Sequence, residues 1–345
     1  MAFPNSNSLP AFTQMDANQS IISPLFLGQD YMEYMNVLPD IKGVTKIDHL
    51  GSLSKITKAF TAGAFAGETT GTFSGVTITP ARVEAEIEFY SNSLFGKVKA
   101  QLMKGNFEFD NIDGTAVKNV LIDLIAQGIK ADFNRQLFLG DAALTSGNGG
   151  DYLDYNSYDG VFQVCKDTLA AAQKLDNSDI SSVANGEALN AAADGVNILQ
   201  AMYDAATPEL LSAGNHVFFV SGDIYDRYSE YLEGTGYAAA GHSVLVNGIP
   251  NLTYRGIPVI VRRDWDVAVT ADFAIIEGAS AAVETHRAIL TTRDAIIVGT
   301  DFSESAMEQW YSQDNKSYRF RVSYMCGVAL ADAKLAVIYT PDALA

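Results

Sequence analysis

The chain has 345 residues, of which 48% are hydrophobic and 19% are charged, a composition typical of a globular protein that buries a large core in one to three domains. Its 23 basic and 41 acidic residues give a formal net charge of -18. Such a surface repels polyphosphate, which excludes broad electrostatic binding to nucleic acid, although the protein can still enclose nucleic acid without adhering to it. The sequence contains no apolar run of eighteen or more residues, so no membrane span is predicted. The first residues lack the basic and apolar regions of a secretory signal.

Residues 1–45 are predicted to form an N-terminal arm. Pro4, Pro10 and Pro24 interrupt regular structure, and apolar residues within 26–38 provide anchors. A polar segment with such anchors indicates an arm that docks on another surface.

Residues 46–100 are predicted to form a second, hairpin-like arm. It has an outgoing segment at Lys46–Phe60, a tip rich in small residues at Thr61–Gly75, and a return strand at Val76–Tyr90. At about 3.3 Å per residue the return strand spans roughly 46 Å, close to the diameter of about 50 Å expected for a compact domain of this length. The strand is therefore expected to cross the whole body or to project from it.

The return strand alternates strictly, with glutamate at most of the positions between its apolar residues. The apolar set is Val83, Ala85, Ile87 and Phe89. This stripe is costly to leave in water, so another surface must cover it. A neighbouring subunit and the strand's own domain are both candidate covers, and alternation alone does not choose between them.

A helix of about seven turns is predicted from Thr115 to Phe138, with Asp113 as its N-cap and Gly140 as its stop. Gly128 weakens its middle and permits a bend. One apolar stripe runs along it: Val117, Val120, Leu121, Leu124, Ile125, Ile129, Phe133 and Leu137. The charged residues Lys130, Asp132 and Arg135 fall mostly away from that stripe.

The remaining chain predicts an α/β module followed by a group of strands. The module has helices near 161–175, 195–206 and 224–232, and strands at 216–220, 254–261 and 273–276. The C-terminal strands are expected at 288–290, 295–299, 318–324 and 334–339. The strand at 216–220 is almost wholly apolar, which predicts that both of its faces are covered.

No constellation predicts catalysis, a metal site or a cofactor site, so we expect a protein that is not an enzyme. The four histidines lack metal-ligand spacing, and the loop at Gly234–Ala239 fits a dinucleotide motif only loosely, because it follows a predicted helix. Asp151, Asp154 and Asp159 lie among tyrosines, where a wet surface loop is favoured over a glycosidase pair. The two cysteines, Cys165 and Cys326, are expected to be buried free thiols.

Four passages in fixed order resemble the major capsid proteins of tailed bacteriophages, which have the Hong Kong 97 fold. They are Thr79–Ala85, Lys130–Asp141, Phe218–Ser221 with Tyr225–Tyr231 and Tyr254–Val259, and Trp310–Ala329. The resemblance covers nearly the whole chain and implies an α+β protein with an N-terminal arm, an extended β-hairpin loop, a long spine helix, a peripheral domain and an α/β axial domain. The implied bounds are 1–45 for the N-terminal arm, 46–100 for the extended loop, 101–165 for the peripheral domain with the spine helix, 166–284 for the axial domain, and 285–345 for the C-terminal strands of the peripheral domain.

The resemblance also implies a function. The chain would assemble with itself as pentamers and hexamers into an icosahedral shell that encloses double-stranded DNA without sequence-specific binding. Its expected location is the virion, after assembly in the cytoplasm of the host bacterium, with separate scaffolding, portal and decoration proteins as partners and no membrane. The inter-subunit contacts would come from the extended loop, at Val83, Ala85, Ile87, Phe89, Phe65 and Phe73.

Many members of the family carry a long N-terminal scaffolding segment that a protease removes. Only about 45 residues precede the second arm here, so we expect a separate scaffolding protein. Some members also form a covalent link between a loop lysine and an asparagine of a neighbouring subunit. Lys55 and Lys58 lie in the second arm, but no partner asparagine is identifiable, so no cross-link is predicted. The alternatives are an encapsulin-like nanocompartment shell, a carbohydrate- or cell-surface-binding protein that uses the tyrosine-rich loop at 152–158, and an enzyme of an unrecognised class.

Overall fold

A computed structural model gives the structure of the chain. It describes residues 33–50, 73–90, 116–146, 152–180, 183, 189–235, 244–246, 249–273, 284–301 and 306–341.

The described helices and strands alternate irregularly along the chain. The helices are α1 (Ala116–Leu139), α2 (Val161–Thr168), α3 (Ala192–Asp204), α4 (Pro208–Ser212), α5 (Gly222–Thr235) and α6 (Arg263–Ala268), which continues as a π turn (Val269–Phe273). The strands are β1 (Asn36–Leu38), β2 (Thr45–Leu50), β3 (Phe73–Ile78), β4 (Ala81–Tyr90), β5 (Lys174–Leu175), β6 (His216–Ser221), β7 (Val244–Val246), β8 (Ile249–Asn251), β9 (Thr253–Tyr254), β10 (Ile257–Arg262), β11 (Ala288–Thr292), β12 (Ile296–Thr300), β13 (Ala306–Ser312), β14 (Ser317–Leu330) and β15 (Ala336–Tyr339).

Strand β14 organises a five-stranded sheet. Its first part pairs with β13 on one edge and with β4 on the other, and its last part pairs with β12, which in turn carries β1. Cys326 pairs with Ala81 of β4 on one side and with Thr300 of β12 on the other, so β4 and β12 lie on opposite sides of β14. Strand β14 is therefore the centre of this sheet, and β4 lies at an edge.

A second sheet has six strands in the order β5-β15-β11-β6-β10-β9. The predicted two-sided burial of β6 is confirmed. Phe218 and Val220 pack with α3 and α5 on one face, and Val217 and Phe219 pack in the core that α1 shares with the first sheet. One sheet therefore joins both hydrophobic cores.

The predicted single return strand is two strands. Strand β3 pairs with β2, whereas β4 turns away to pair with β14. The break falls at Thr79 and Pro80, since proline lacks an N–H and restricts the residue before it. Gly327 permits the close approach of the bend, because a Cβ there would lie 2.9 Å from the Thr79 carbonyl oxygen. The expected strand of about 46 Å is therefore wrong.

Other bounds also differ from the predicted ones. Helix α2 ends at Thr168, because Leu169 is extended, so the predicted helix near 161–175 is too long. Phe273 belongs to the π turn and not to a strand, and residues 274–276 lie outside the described ranges. The predicted division at residue 284 does not separate the sheets, because β11 and β15 both belong to the six-stranded sheet.

Helix α1 confirms the predicted rod to within one residue at each end. In the described part of its predicted apolar stripe, the buried residues are Leu121, Ile125, Ile129, Phe133 and Leu137. Leu124 is an exception and is exposed. Asp113, the predicted N-cap, lies outside the described residues.

Replacing Gly128 with alanine is expected to stabilise the protein by about 1 kcal/mol, because glycine is a poor helix former. A Cβ at this exposed position would meet no atom within 4 Å. The midpoint of urea unfolding should rise accordingly. An unchanged or lower midpoint would show that α1 needs the glycine.

Both cysteines are free and buried, as predicted. Among the described residues no helix has the length and apolar character needed to cross a bilayer.

Candidate inter-subunit surface

The glutamates of β4 face arginines of β14 across the sheet. Arg319 donates from Nε to Glu88 Oε1 at 2.9 Å, and Arg321 donates from Nε to Glu86 Oε1 at 2.8 Å. Hydrogen bonds from the Ser317 hydroxyl and from Arg319 lower the pKa of Glu88. Each exposed pair adds little to stability, but opposite charges at matched positions favour this register over a slipped one.

The apolar face of β4 packs largely on the same chain. Val83 is only 8% exposed, and Ala85, Ile87 and Phe89 are half-buried against the core of α1 and the first sheet. The Phe89 ring meets that of Phe320 edge-on, with centroids 5.9 Å apart. Of the two candidate covers, the strand's own domain accounts for most of the burial, and the inter-subunit role of these residues stays a prediction.

An apolar groove of 490 Å³ remains between β4 and α1, and we call it the β4–α1 groove. Ile87 and Phe89 line one side of it. Leu124 of α1 and Leu153 from a short 3-10 turn also line it, and these side chains are 57% and 62% exposed. Within the described part of the chain, the outer edge of β4 pairs with no strand. The groove therefore places apolar side chains beside a sheet edge, the features that an extended segment binds.

The rim of the β4–α1 groove is mainly acidic. Glu84, Glu86, Asp132 and Asp154 line it, with Arg135 as the one basic residue among its described lining. Arg135 is already bound to Asp132 at 3.0 Å, and burial raises the pKa of that carboxyl. A segment that presents apolar side chains and lysines is electrostatically complementary to such a rim.

The sequence predictions and the groove agree only in part. The four predicted contact residues of β4, Val83, Ala85, Ile87 and Phe89, all line it, whereas Phe65 lies outside the described residues and Phe73 begins β3. The exposure of Leu153 agrees with the prediction of a wet loop there, whereas Leu124 was expected in the buried stripe. The exposure of Leu124 had no sequence signal, because it depends on where β4 packs.

Two tyrosines of the loop at 152–158 are built into the core. Tyr155 and Tyr158 are buried, and the neighbouring Asp159 accepts a hydrogen bond from the Ala142 backbone N–H at 2.9 Å. These side chains therefore present no exposed aromatic platform for a sugar. The described residues also contain no group of three histidines, cysteines or carboxylates placed to hold a metal ion.

Comparison with known proteins shows what this architecture resembles. No protein-family model and no curated protein matches the sequence. A chain of the satellite phage P4 procapsid, in a structure that includes the size determination (Sid) protein, superposes with a TM-score of 0.57 at 8% identity over 93% of this chain and 98% of that chain. The chain has the fold of phage capsid proteins.

Two further structures share this capsid fold. A chain of Gordonia phage Cozz has a TM-score of 0.56 at 13% identity, and the match covers 91% of this chain and 87% of that chain. A chain of Mycobacterium phage Ogopogo has a TM-score of 0.55 at 12% identity, with 90% of each chain covered. The predicted α+β class and the Hong Kong 97 fold are thereby confirmed.

The described elements form two layers around the long helix. Helix α1 packs in one core with the five-stranded sheet, whereas α3 and α5 pack on one face of the six-stranded sheet. The β4–α1 groove lies alongside α1, at the edge of the five-stranded sheet.

Proposed function

We propose that this chain is the major capsid protein of a tailed bacteriophage, which assembles as pentamers and hexamers into an icosahedral shell around double-stranded DNA. The observation that carries the proposal is the capsid fold, shared over at least 90% of the chain with structures from three phages. The net charge of -18 supports it, since an acidic wall repels packaged DNA and leaves it mobile. The shell would form in the host cytoplasm and become part of the virion.

The β4–α1 groove is proposed as the receiving surface for the extended loop of a neighbouring subunit. The second part of that loop's outgoing segment, Lys55–Phe60, carries two lysines and the apolar residues Ile56 and Phe60. This composition complements the acidic rim and the apolar lining of the groove. Each such contact is small, but many copies in one closed shell make the assembly stable. The predicted contacts of the arm, including Phe65 and Phe73, remain part of this proposal.

Electron microscopy of the purified protein tests the proposed function directly. Closed shells or ring-shaped capsomers are expected, with DNA in particles recovered from infected cells. Monodisperse monomers at all concentrations would contradict the proposal, whereas shells that contain a cargo enzyme would identify a nanocompartment. Shells of uniform, correct size from the protein alone would contradict the need for a separate scaffolding protein. Portal and decoration partners would be sought among the proteins that copurify with phage particles.

Deleting the loop tip is expected to impair assembly while the monomer remains folded. Because β3 begins at Phe73, the deletion should remove Ala62–Thr72 and leave the β2–β3 pairing intact. Circular dichroism reports the fold, and sedimentation velocity reports the fraction of chain in shells. A matched control replaces the same residues with a glycine-serine linker of equal length. Normal shells from the deletion would show that the tip has no role between subunits.

A further inference from the structure

A second groove opens where β4 parts from β14, and we call it the β3–α2 groove. Strand β4 pairs with β14 only as far as Cys326. Beyond that point, residues 328–330 of β14 pair with no strand on the same side within the described part of the chain. The space beside them has a volume of 390 Å³ and is enclosed by parts of β3 and α2. The groove therefore offers a short sheet edge to an extended segment.

The inside of the β3–α2 groove is apolar. Val76 of β3, Val164 of α2 and Val328 of β14 line it from three sides, and each is half-buried. The hydroxyl-bearing residues Thr77 and Thr168 lie in the lining beside them and are exposed. An occupant that presents small apolar side chains along an extended backbone would bury the three valines.

The charged part of the lining is acidic. Asp159 and Asp167 are exposed, and the described lining contains no basic residue. Asp159 accepts a hydrogen bond from the Ala142 N–H at 2.9 Å, and Asp167 accepts one from the Gln163 side-chain amide at 3.4 Å. Because both donors are neutral, lysines of a bound segment can add ion pairs with these two carboxylates.

One segment outside the described residues has the matching chemistry. Residues 97–102, Lys-Val-Lys-Ala-Gln-Leu, alternate strictly between polar and apolar side chains. This alternation is typical of a strand with one apolar face, formed here by Val98, Ala100 and Leu102. The segment carries two lysines and no acidic residue. The other lysine-bearing segment considered above, Lys55–Phe60, lacks this alternation.

The length of the chain decides which copy of this segment can bind. Tyr90, the last residue of β4, pairs with Ser317, and about eleven strand residues separate Ser317 from Val328, a distance of roughly 36 Å. Lys97 follows Tyr90 by about seven residues and reaches at most about 25 Å from it. The start of the segment therefore falls short of the groove in its own chain. A second copy of the chain has no such restriction.

We propose that the β3–α2 groove binds residues 97–102 of a second copy of this chain, as a strand beside β14 with the lysines at Asp159 and Asp167. This inference rests on the proposed function, because it requires subunits that assemble. It adds a second contact to the one at the β4–α1 groove, so that each subunit receives two segments at two separate acidic grooves. Several weak contacts for each subunit make a closed shell stable while single contacts remain reversible.

A synthetic peptide of residues 94–104 tests the groove without any shell. Fluorescence anisotropy of the labelled peptide should show saturable binding to the unassembled protein at concentrations up to about 1 mM, and the binding should weaken as salt is added. Asp167→Lys should weaken it by about tenfold or more, because lysines would then face a lysine. Circular dichroism checks that this variant is folded.

Two controls accompany the peptide measurement. Glu233→Lys should bind the peptide normally, because Glu233 is exposed on α5 and does not line the groove. A peptide of the same composition in which lysines and apolar residues no longer alternate should bind poorly. The inference would be overturned by an absence of saturable binding, by equal binding to Asp167→Lys, or by equal binding of the rearranged peptide.

Exchange of charges tests the same contact in shells, with the fraction of chain in shells measured by sedimentation velocity. Lys97→Glu combined with Lys99→Glu should lower this fraction by about fivefold or more, because the penalty recurs at every subunit. Adding Asp167→Lys should restore much of it. The same Asp167→Lys should not restore assembly to Lys55→Glu combined with Lys58→Glu, because those lysines are assigned to the β4–α1 groove.

The outcomes separate this inference from the proposed function. Normal shells from the Lys97 and Lys99 variant, or a loss that Asp167→Lys does not restore, would overturn the contact while wild-type shells still support a capsid protein. If the wild-type protein forms neither shells nor capsomers, the proposed function fails, and peptide binding still decides whether the groove recognises the segment.

Discussion

Replacing Gly160 with alanine is expected to destabilise the protein by about 3 kcal/mol or more and to remove most of the soluble chain. A Cβ at this position would lie 2.7 Å from the Gly140 nitrogen, 2.8 Å from the Gln136 carbonyl oxygen and 2.8 Å from the Phe138 carbonyl carbon. All three are backbone atoms at the end of α1, so no side chain can rotate away to make room.

The collision is severe because the two glycines join α1 to α2 through their backbones. The Gly160 N–H donates to the Gly140 carbonyl oxygen at 2.8 Å. A Cβ on Gly140 would in turn lie 2.4 Å from the Tyr158 carbonyl oxygen. Gly140, expected from the sequence as the stop of the helix, is therefore needed mainly for this close approach.

Urea unfolding of purified protein measures the effect, with soluble yield as the readout if Gly160→Ala does not accumulate. Gly43→Ala is the matched control, because a Cβ there would meet no atom within 4 Å. Equal unfolding midpoints for the two variants would contradict the close approach of α1 and α2.

The sequence predicted the features of this fold that depend on local periodicity. The apolar spacing of α1 located it to within one residue at each end, and the apolar run of β6 predicted its burial on both faces. Both signals come from neighbours in the sequence. What they leave open is the partner of each face, because that is decided by contacts between residues hundreds of positions apart.

Strand β4 illustrates the limit. Its glutamates at positions 84, 86 and 88 and the arginines at 319 and 321 alternate with the same period, and each alternation was visible in the sequence. Their complementary charge is a signal that could have paired β4 with β14. Without that pairing the cover of the apolar stripe stayed open between a neighbour and the strand's own domain, and the exposure of Leu124 was missed.

Replacing Leu124 with glutamate is expected to abolish shell assembly while leaving the monomer folded. The side chain is 57% exposed in the single chain, so the change should alter the free energy of unfolding by less than about 0.5 kcal/mol. In a shell, a segment seated in the β4–α1 groove would bury the new carboxylate without a partner, beside Glu86 and Asp132. Burying an unpaired charge costs several kcal/mol, and the penalty recurs at every subunit of a closed shell.

Circular dichroism should show an unchanged melting temperature for Leu124→Glu, and electron microscopy should show monomers or capsomers in place of shells. Leu124→Met, which keeps the apolar contact, is expected to assemble normally. Val267→Glu is the matched charge control, because Val267 is 70% exposed on α6 and does not line the groove. Normal shells from Leu124→Glu would remove the groove from the inter-subunit contacts. An interface at the β4–α1 groove predicts that only Leu124→Glu fails to assemble. If Val267→Glu fails equally, assembly is sensitive to added negative charge in general, and the groove is not the cause.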